Sequence, residues 1–454
     1  MGVGLAVVLG ALSCGPAPEP VAPAPPVAPT ATAPLVVPAP APAAPAKDEK
    51  LAAEAKAKVA AMLAQVVDAR KLPAKHEVPS RVLDRAHILE RIRAHVEKEL
   101  PLDVVADEGE VLAALELVPP DYDFVEGTFK LIGGRIAGFY EPSDQTMYLV
   151  DDLSDDEAKE TLAHELVHAL QDQSFPLEPI IRYRPGKGDS IAAAHAVIEG
   201  DAMSAMFDVV AGSAFNISEG LLRKMLALSN ATAATSDTTP RFLQRSLVAP
   251  YADGFAFVQN RRKKGGWAAV DAAFKSMPVT SEQLLHPDKY DAREPEIPVA
   301  VPSIAPLGPG FRAVLDDVVG EQGLRTMFEE WTGDAPAIAA AAGWGGDHYV
   351  VARKDEPGAK TMAYGWLMVF DTPKDASEAA ALFKGRYGAK CRERATVGPL
   401  AYEVKGKAIA LAAGPFKRPL PAERGGPKAS PTSAGSCADA TRWVKEMLAA
   451  APKR

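Results

Sequence analysis

The stretch TLAHELVHALQDQ, from Thr161 to Gln173, constrains the fold of this chain more than any other feature. His164 and His168 stand four residues apart with Glu165 between them, and apolar residues fill most neighbouring positions. A helix brings residues i and i+4 onto one face, about one turn apart. The pattern therefore predicts a half-buried helix that presents both imidazoles to one point in space.

Each member of this trio has a distinct chemical task at a metal. Zinc accepts imidazole nitrogen readily, so His164 and His168 are predicted metal ligands. Glu165 is placed to take a proton from water that the metal has activated. A solvated helix face is the alternative, but charged groups within an otherwise apolar helix are costly unless they are paired or coordinate an ion. The sequence therefore predicts a catalytic Zn2+ site with Glu165 as general base.

A catalytic zinc site needs a third protein ligand and one open position. The downstream segment IAAAHAVIEGDAM is predicted to be a helix that carries His195 and Glu199, again four residues apart. By spacing alone, either His195 or Glu199 can be the third metal ligand. Asp201 is a candidate partner for a ligand histidine, and compensation of charge at a helix end is its alternative role.

The two motifs together resemble the gluzincin branch of zinc metallopeptidases, in which HELVH on one helix is completed by a glutamate from a later helix. The resemblance implies that Glu199, in the segment EGDA, is the third metal ligand, with His195 as the second choice. Three later stretches are also similar to segments of exported bacterial zincin-like proteins: PYADGFAFVQNRRKKGGWAAVDAAF, SEQLLHPDKY and AAAGWGGDHYVV.

The same resemblance implies two further parts of a peptidase site. GFYEPSDQTMYLVDD, ahead of the motif helix, looks like the edge strand above the cleft of zincin folds, to which a peptide can add as a further strand. Zincins usually have a downstream Tyr or His that stabilises the oxyanion of the intermediate. His286 is expected in this catalytic role, and Tyr251 and Tyr290 are the other candidates. A structural turn residue is the alternative interpretation of His286.

The N terminus is predicted to direct export. Residues 1–14 contain an apolar run that is too short to span a bilayer as a mature helix, and they end in small residues before Cys14. This resembles a bacterial lipoprotein signal, with lipid on the Cys14 thiol; a plain cleaved signal is the alternative. Residues 15–46 form an Ala/Pro-rich tether. We therefore expect a protein of the cell envelope, anchored to a membrane through Cys14, or a periplasmic or extracellular one.

The remaining sequence predicts an α+β fold in two parts. Residues 47–298 combine N-terminal helices with a zincin-like catalytic domain, made of a small mixed sheet and the active-site helices. Residues 299–454 form a small C-terminal α+β domain. By position alone, the helical segment 47–117 is a hypothetical inhibitory pro-region.

Several local predictions follow hydrophobic periodicity and turn residues. Strands are expected at 124–132 and on both sides of a turn at 142–144, and helices at 311–319, 321–331 and 375–385. Ser154 is expected to cap the motif helix, with Glu157 three positions on. Gly343 to Asp347 is expected to be a tight turn. Cys391 and Cys437 form a disulfide or remain two unrelated buried thiols, and both possibilities stay open.

The formal net charge of -9 gives no basic surface for nucleic acid. We therefore expect a zinc-dependent metallopeptidase whose partners are peptide or protein substrates. Two alternatives remain: a catalytically silent zincin-like scaffold lipoprotein, and an envelope amidase that acts on a non-protein amide. The intact Glu165 favours a hydrolase over a scaffold, because a structural zinc has no need of a base.

Overall fold

The computed structural model describes residues 46–99, 101–133, 136–151, 155–225, 239–420 and 429–452. The predicted leader with Cys14, the tether and the predicted cap at Ser154 lie outside these residues. The described chain is a mixed α+β fold, with helices and a small sheet first and a larger sheet after them, which confirms the predicted fold class. Within the described ranges, none of the helices has the length and apolar character that crossing a bilayer requires.

The first part of the chain is mainly helical. Its elements are α1 (Ala46–Arg70), β1 (Ser80–Leu83), α2 (Arg85–Glu99), α3 (Leu102–Ala114), α4 (Phe124–Gly133), β2 (Gly138–Glu141), β3 (Thr146–Val150), α5 (Asp155–Ser174), α6 (Glu178–Ile181), α7 (Gly188–Val210), α8 (Arg241–Phe274), α9 (Ser281–Leu285) and α10 (Pro287–Ala292). Helix α8 is interrupted at Gly265 and Gly266, whose backbone angles are not helical.

A three-stranded sheet precedes the motif helix. β1 pairs with β3 in parallel, and β2 pairs with β3 antiparallel, so that β2 lies at an edge. The predicted hairpin on both sides of residues 142–144 is therefore confirmed. The strand predicted at 124–132 is wrong: this segment lies in α4, because Phe124, Thr128 and Leu131 are buried at helical rather than alternating spacing.

The second part of the chain is built on a seven-stranded sheet. Its elements are β4 (Arg312–Asp317), α11 (Gly320–Thr332), α12 (Asp334–Ala341), β5 (Trp344–Glu356), β6 (Ala359–Phe370), α13 (Pro373–Tyr387), β7 (Cys391–Arg392), β8 (Leu400–Lys405), β9 (Ala408–Pro419), β10 (Thr432–Ser433) and α14 (Cys437–Ala450). The strand order is β4-β5-β6-β9-β8-β7, with β10 paired to β9.

Two local predictions in this part are wrong, and two are confirmed. Residues 312–317 form strand β4, not a helix, because they pair antiparallel with β5. The expected turn at Gly343 to Asp347 instead begins β5, where the Asp347 carboxylate accepts the backbone N–H groups of Val319 and Gly320. The helices expected at 321–331 and 375–385 are present as α11 and α13.

An N-terminal helix packs against the C-terminal sheet. Asp107 of α3 binds Arg353 of β5 at 2.6 Å and Lys360 of β6 at 2.5 Å, and Glu110 binds Arg418 of β9 at 2.6 Å. Both carboxylates are almost fully buried. Because a buried carboxylate is costly without its cation, these pairs tie the two parts of the chain together.

The structure joins Cys391 and Cys437 in a disulfide, which settles the open alternative. The bond closes a loop with a sequence separation of 46 and ties α14 to β7. For a loop of this length, the chain-entropy estimate is about 4 kcal/mol of stability.

We expect Cys391→Ser with Cys437→Ser to lower the free energy of unfolding by about this amount, measured by urea denaturation. The same urea midpoint in the parent and in the double variant, or in the parent with and without reductant, would contradict this expectation.

Candidate metal centre

Helix α5 brings the two motif histidines together. Leu162, Leu166 and Leu170 are buried and anchor the helix. On the adjoining face, the Nε2 atoms of His164 and His168 lie 3.2 Å apart. His168 is buried, whereas His164 keeps partial exposure to solvent. The predicted pair is thus assembled at a point that is closed on one side and partly open on the other.

Glu199 of helix α7 reaches both histidines. Its Oε2 atom lies 3.1 Å from Nε2 of His164 and 3.6 Å from Nε2 of His168. Ligand atoms of a tetrahedral zinc ion, with bonds of about 2.0–2.1 Å, are roughly 3.3 Å apart. The three measured separations lie around that value, and two imidazoles with one carboxylate are a donor set that zinc accepts. The residues therefore fit the predicted metal.

The position of His195 separates the two candidates for third ligand. Its Nε2 lies 3.1 Å from Oε1 of Glu199, whereas the contacts of Glu199 with the other two histidines are made by Oε2. Both side chains are almost fully buried. Glu199 therefore stands in the first layer around the point where His164 and His168 converge, and His195 stands behind it.

The cluster has a strong electrostatic preference for a cation. Burial raises the pKa of Glu199, but the charge of His168 and the contacts with the histidines outweigh burial and hold that pKa well below its usual range. Burial also lowers the pKa of His168, and the Glu199 carboxylate overcomes this and raises it to about 9. A divalent ion that binds here must therefore displace a proton.

Glu165 is fixed by the edge strand of the small sheet. Its Oε2 accepts a hydrogen bond from the backbone N–H of Tyr140 in β2, at 2.9 Å. Glu165, His164 and His168 each offer a ligand atom, and these atoms all lie within 4.8 Å of one another. Burial raises the pKa of Glu165, although the side chain keeps partial contact with solvent. The predicted base thus lies beside the predicted ligands, at their open side.

Gln171 supports His168 and was not foreseen from the sequence. Its Nε2 donates to the carbonyl oxygen of Ile198 at 3.0 Å and to Oδ2 of Asp201 at 2.8 Å. Its Oε1, 2.9 Å from Nδ1 of His168, must therefore act as acceptor. Hence Nδ1 of His168 carries a hydrogen, and Nε2 is the nitrogen that is left to bind a metal. One of the two roles predicted for Asp201 is to hold a ligand histidine in the correct tautomer. In the structure Asp201 contacts Gln171, and Gln171 in turn contacts His168.

A close crossing of α7 and α8 sets the position of Glu199. A Cβ atom on Gly200 would lie 2.0 Å from the carbonyl carbon of Gly254, and one on Gly254 would lie 1.7 Å from the carbonyl oxygen of Ala196. The two helix backbones therefore touch next to the metal cluster, and only glycine fits at both positions.

This crossing gives a test by overpacking. Gly254→Ala forces the two helices apart, so we expect it to cost about 1–3 kcal/mol or more of stability and to weaken metal binding by displacing Glu199. Thermal unfolding and a zinc titration measure the two effects. Gly385→Ala is the control, because it lies in helix α13 with nothing within 4 Å of the added Cβ. Equal unfolding temperatures for the two variants would contradict the account.

The three candidates for the oxyanion role do not lie at the distances from the metal cluster that the sequence led us to expect. The ring of Tyr251, in α8, lies 6.1 Å from the ring of His164 between centroids. His286 instead binds Glu321 of α11 at 2.9 Å, and no contact of the described residues joins it to the metal cluster. Tyr290 is buried and donates its hydroxyl to the carbonyl of Ser276. Of the three, the structure brings Tyr251 to the site.

The reason lies in the local structure of LLHPDKY. Pro287 starts the short helix α10 directly after α9, so His286 is held between the two helices. From there its ring reaches the buried Glu321, and this contact is the largest influence that raises the pKa of His286. The alternative structural role of His286 therefore agrees with its position.

A second group of carboxylates is neutralised by a lysine. Glu282, Glu294 and Asp371 lie close enough together to hold a cation. Nζ of Lys289 already lies 2.6, 3.2 and 2.9 Å from their oxygens, respectively. The ammonium group accounts for this cluster, which leaves the histidine cluster as the candidate metal centre among the described residues.

Comparison with known proteins identifies one shared domain. Residues 310–417 match a family described as a domain of unknown function, DUF8575. No curated protein and no solved structure matches the chain. The matched range begins just before β4 and ends within β9, so it covers most of the seven-stranded sheet and none of α5 and α7, which carry the candidate metal centre. The similarity to this family therefore lies in the part of the chain that carries the C-terminal sheet.

Proposed function

We propose that this chain is a zinc-dependent metallopeptidase of the bacterial cell envelope. The observation that carries the proposal is the convergence of His164, His168 and Glu199 with separations of 3.1 to 3.6 Å, beside the carboxylate of Glu165, a residue that is only partly buried. A structural zinc is closed by four protein ligands and has no use for an adjacent acid. Three donors, an acid and a partly open side favour hydrolysis.

The side chains would divide the work as follows. His164, His168 and Glu199 would hold the zinc ion, which when bound supplies a Lewis acid that polarises the substrate carbonyl and makes water more acidic. Glu165 takes the proton of the attacking water on its carboxylate and passes it to the leaving amine. The hydrogen bond from Tyr140 keeps the carboxylate oriented for both transfers.

The small sheet supports a peptide as the substrate. β2 is paired with β3 alone in the described sheet, and its backbone contacts Glu165 through Tyr140. An extended peptide that adds to this edge by main-chain hydrogen bonds would run directly past the base and the metal ligands. An amide without an extended backbone would gain nothing from this edge.

The disulfide supports the envelope location. Bonds such as Cys391–Cys437 form and persist in oxidising compartments outside the cytoplasm. Together with the leader and tether expected from the sequence, this favours an exported protein held near a membrane by lipid on Cys14.

Hydrolysis of a protein substrate tests the proposal. We expect the full chain to cleave casein, to lose that activity on treatment with a zinc chelator, and to regain it with added zinc. Cleavage of a peptidoglycan amide but not of casein would favour the amidase alternative. A folded, zinc-loaded chain that is inactive on both would favour the scaffold alternative.

The location of Tyr251 gives a prediction about the reaction itself. If its hydroxyl stabilises the oxyanion, Tyr251→Phe lowers kcat by about 10²–10³-fold and leaves the KM for a peptide within a few-fold. His286→Gln is the matched comparison, because an amide can still donate to Glu321, and we expect its kcat to stay near the parent value. Steady-state kinetics on a fluorogenic peptide measures both. The reverse ranking would return the role to His286.

A further inference from the structure

We propose that Arg70, the last residue of helix α1, positions the metal ligand His168 through Asp201 and Gln171. The N-terminal helix is then a component of the metal centre and not a removable inhibitory segment. This inference rests on the proposed metallopeptidase function and adds to it a positioning residue that lies 98 positions before the ligand in sequence.

Arg70 is held at the base of the site by three contacts. Its Nε lies 2.7 Å from Oδ1 of Asp201, and its Nη2 lies 2.7 Å from Oδ1 of Asp271. Its guanidinium stacks over the ring of Trp267 at 4.5 Å, and the guanidinium of Arg262 stacks on the same ring at 3.9 Å. Arg70 and Asp201 are both fully buried. A buried carboxylate needs a cation close by, and α1 supplies it.

The contacts continue without a break from Arg70 to the ligand. Asp201 uses Oδ1 for Arg70 and Oδ2 for Nε2 of Gln171, and Gln171 uses Oε1 for Nδ1 of His168. Only this orientation of the Gln171 amide makes Nδ1 of His168 the protonated nitrogen. If Asp201 were no longer held, the Ile198 carbonyl would be the remaining acceptor that keeps the Gln171 amide in this orientation. An amide that turned over would donate to Nδ1, move the hydrogen to Nε2 and disable the ligand.

The rest of the N-terminal segment is fastened to the motif helix as well. Val59, Met62 and Val66 of α1 are buried in one core with residues of α5 and α7. After α1, the backbone N–H of Lys75 donates to Oε1 of Gln173, near the end of α5, at 2.6 Å. The chain then enters β1, which pairs with β3. Removing α1 would therefore expose this core and leave Asp201 without its cation. Removal of an inhibitory pro-region, in contrast, would open a cleft and leave the core and the site intact.

A double-mutant cycle on zinc affinity tests the inference. The variants of the full chain are Arg70→Met, Gln171→Met and the pair together, with the zinc dissociation constant measured by competition with a chromophoric chelator. Partners that orient a metal ligand typically contribute 10–100-fold in affinity. We expect about that loss for each single variant, and a less than about twofold further change when Arg70→Met is added to Gln171→Met, because Arg70 acts through Gln171.

Two further variants separate positioning from general stability. Asp271→Asn alters the other partner of Arg70, so we expect it to lower the melting temperature while the zinc affinity stays within about twofold. Arg70→Lys keeps the charge but cannot bridge both carboxylates; it serves as the test if Arg70→Met does not fold, with an intermediate loss expected that again disappears in the Gln171→Met background.

The outcomes distinguish this inference from the function on which it rests. A parent chain that binds zinc, with folded Arg70 variants of unchanged affinity, would overturn the role of Arg70 and leave the metallopeptidase proposal intact. Losses that multiply in the double variant would also overturn it. A folded parent chain that binds no zinc would overturn both.

Discussion

Glu165→Gln is expected to lower kcat for peptide hydrolysis by about 10²–10⁴-fold, the usual contribution of a general base. The amide keeps the size of the side chain and can still accept the hydrogen bond from Tyr140 N–H, but it cannot take a proton. Zinc content and melting temperature should stay close to those of the parent, because His164, His168 and Glu199 are unchanged. Stopped-flow or steady-state kinetics on a fluorogenic peptide measures the loss.

A control on the same helix removes charge without touching the site. Glu160 lies on the exposed side of α5, so Glu160→Gln changes the net charge equally and should leave kcat within about twofold. Full activity in Glu165→Gln would show that another group takes the proton. Loss of zinc in Glu165→Gln would instead make this residue a ligand.

Glu199→Ala is expected to weaken zinc binding on the order of 10²–10³-fold, since one ligand contributes roughly 3–4 kcal/mol of a total of 10–16 kcal/mol. His195→Ala should cost less, about 10-fold, because His195 contacts Oε1 of Glu199 and not the oxygen that lies beside His164 and His168. The larger loss of zinc affinity is expected for Glu199→Ala because Oε2 of Glu199 lies 3.1 Å from His164 and 3.6 Å from His168.

Competition titration of both variants decides between the two candidate ligands. Glu199→Gln is a useful companion, because it keeps the volume and hydrogen bonds but removes the charge, and we expect it to fall between the parent and Glu199→Ala. If His195→Ala lost more affinity than Glu199→Ala, the third ligand would be His195 and the carboxylate would be its support.

The core of the site could be predicted because it depends on local geometry. The spacing of four residues places His164 and His168 on one face of any helix, and it does the same for His195 and Glu199. The identity of Glu199 as the residue nearest the two histidines required a resemblance, because both i+4 partners are equally placed by spacing. The structure distinguishes them by which side chain reaches the other helix.

The supporting residues could not be predicted, because they depend on contacts between distant segments. Arg70 meets Asp201 only when α1 packs against α7, and Gly254 matters only because α8 crosses α7 at Gly200. Local patterns also failed where packing overrides them. Residues 312–317 became a strand because β5 lies beside them. The strand predicted at 124–132 is wrong for a different reason: Phe124, Thr128 and Leu131 already lie at helical spacing in the sequence, and their burial follows helix α4.

The metal content of the purified full chain tests the central claim most directly. Elemental analysis by mass spectrometry should find about one zinc ion per chain after dialysis against metal-free buffer. The double variant His164→Ala with His168→Ala, still folded by circular dichroism, should hold almost none. A folded parent chain without zinc, or equal zinc in the parent and the double variant, would contradict the assignment of this cluster as the metal centre.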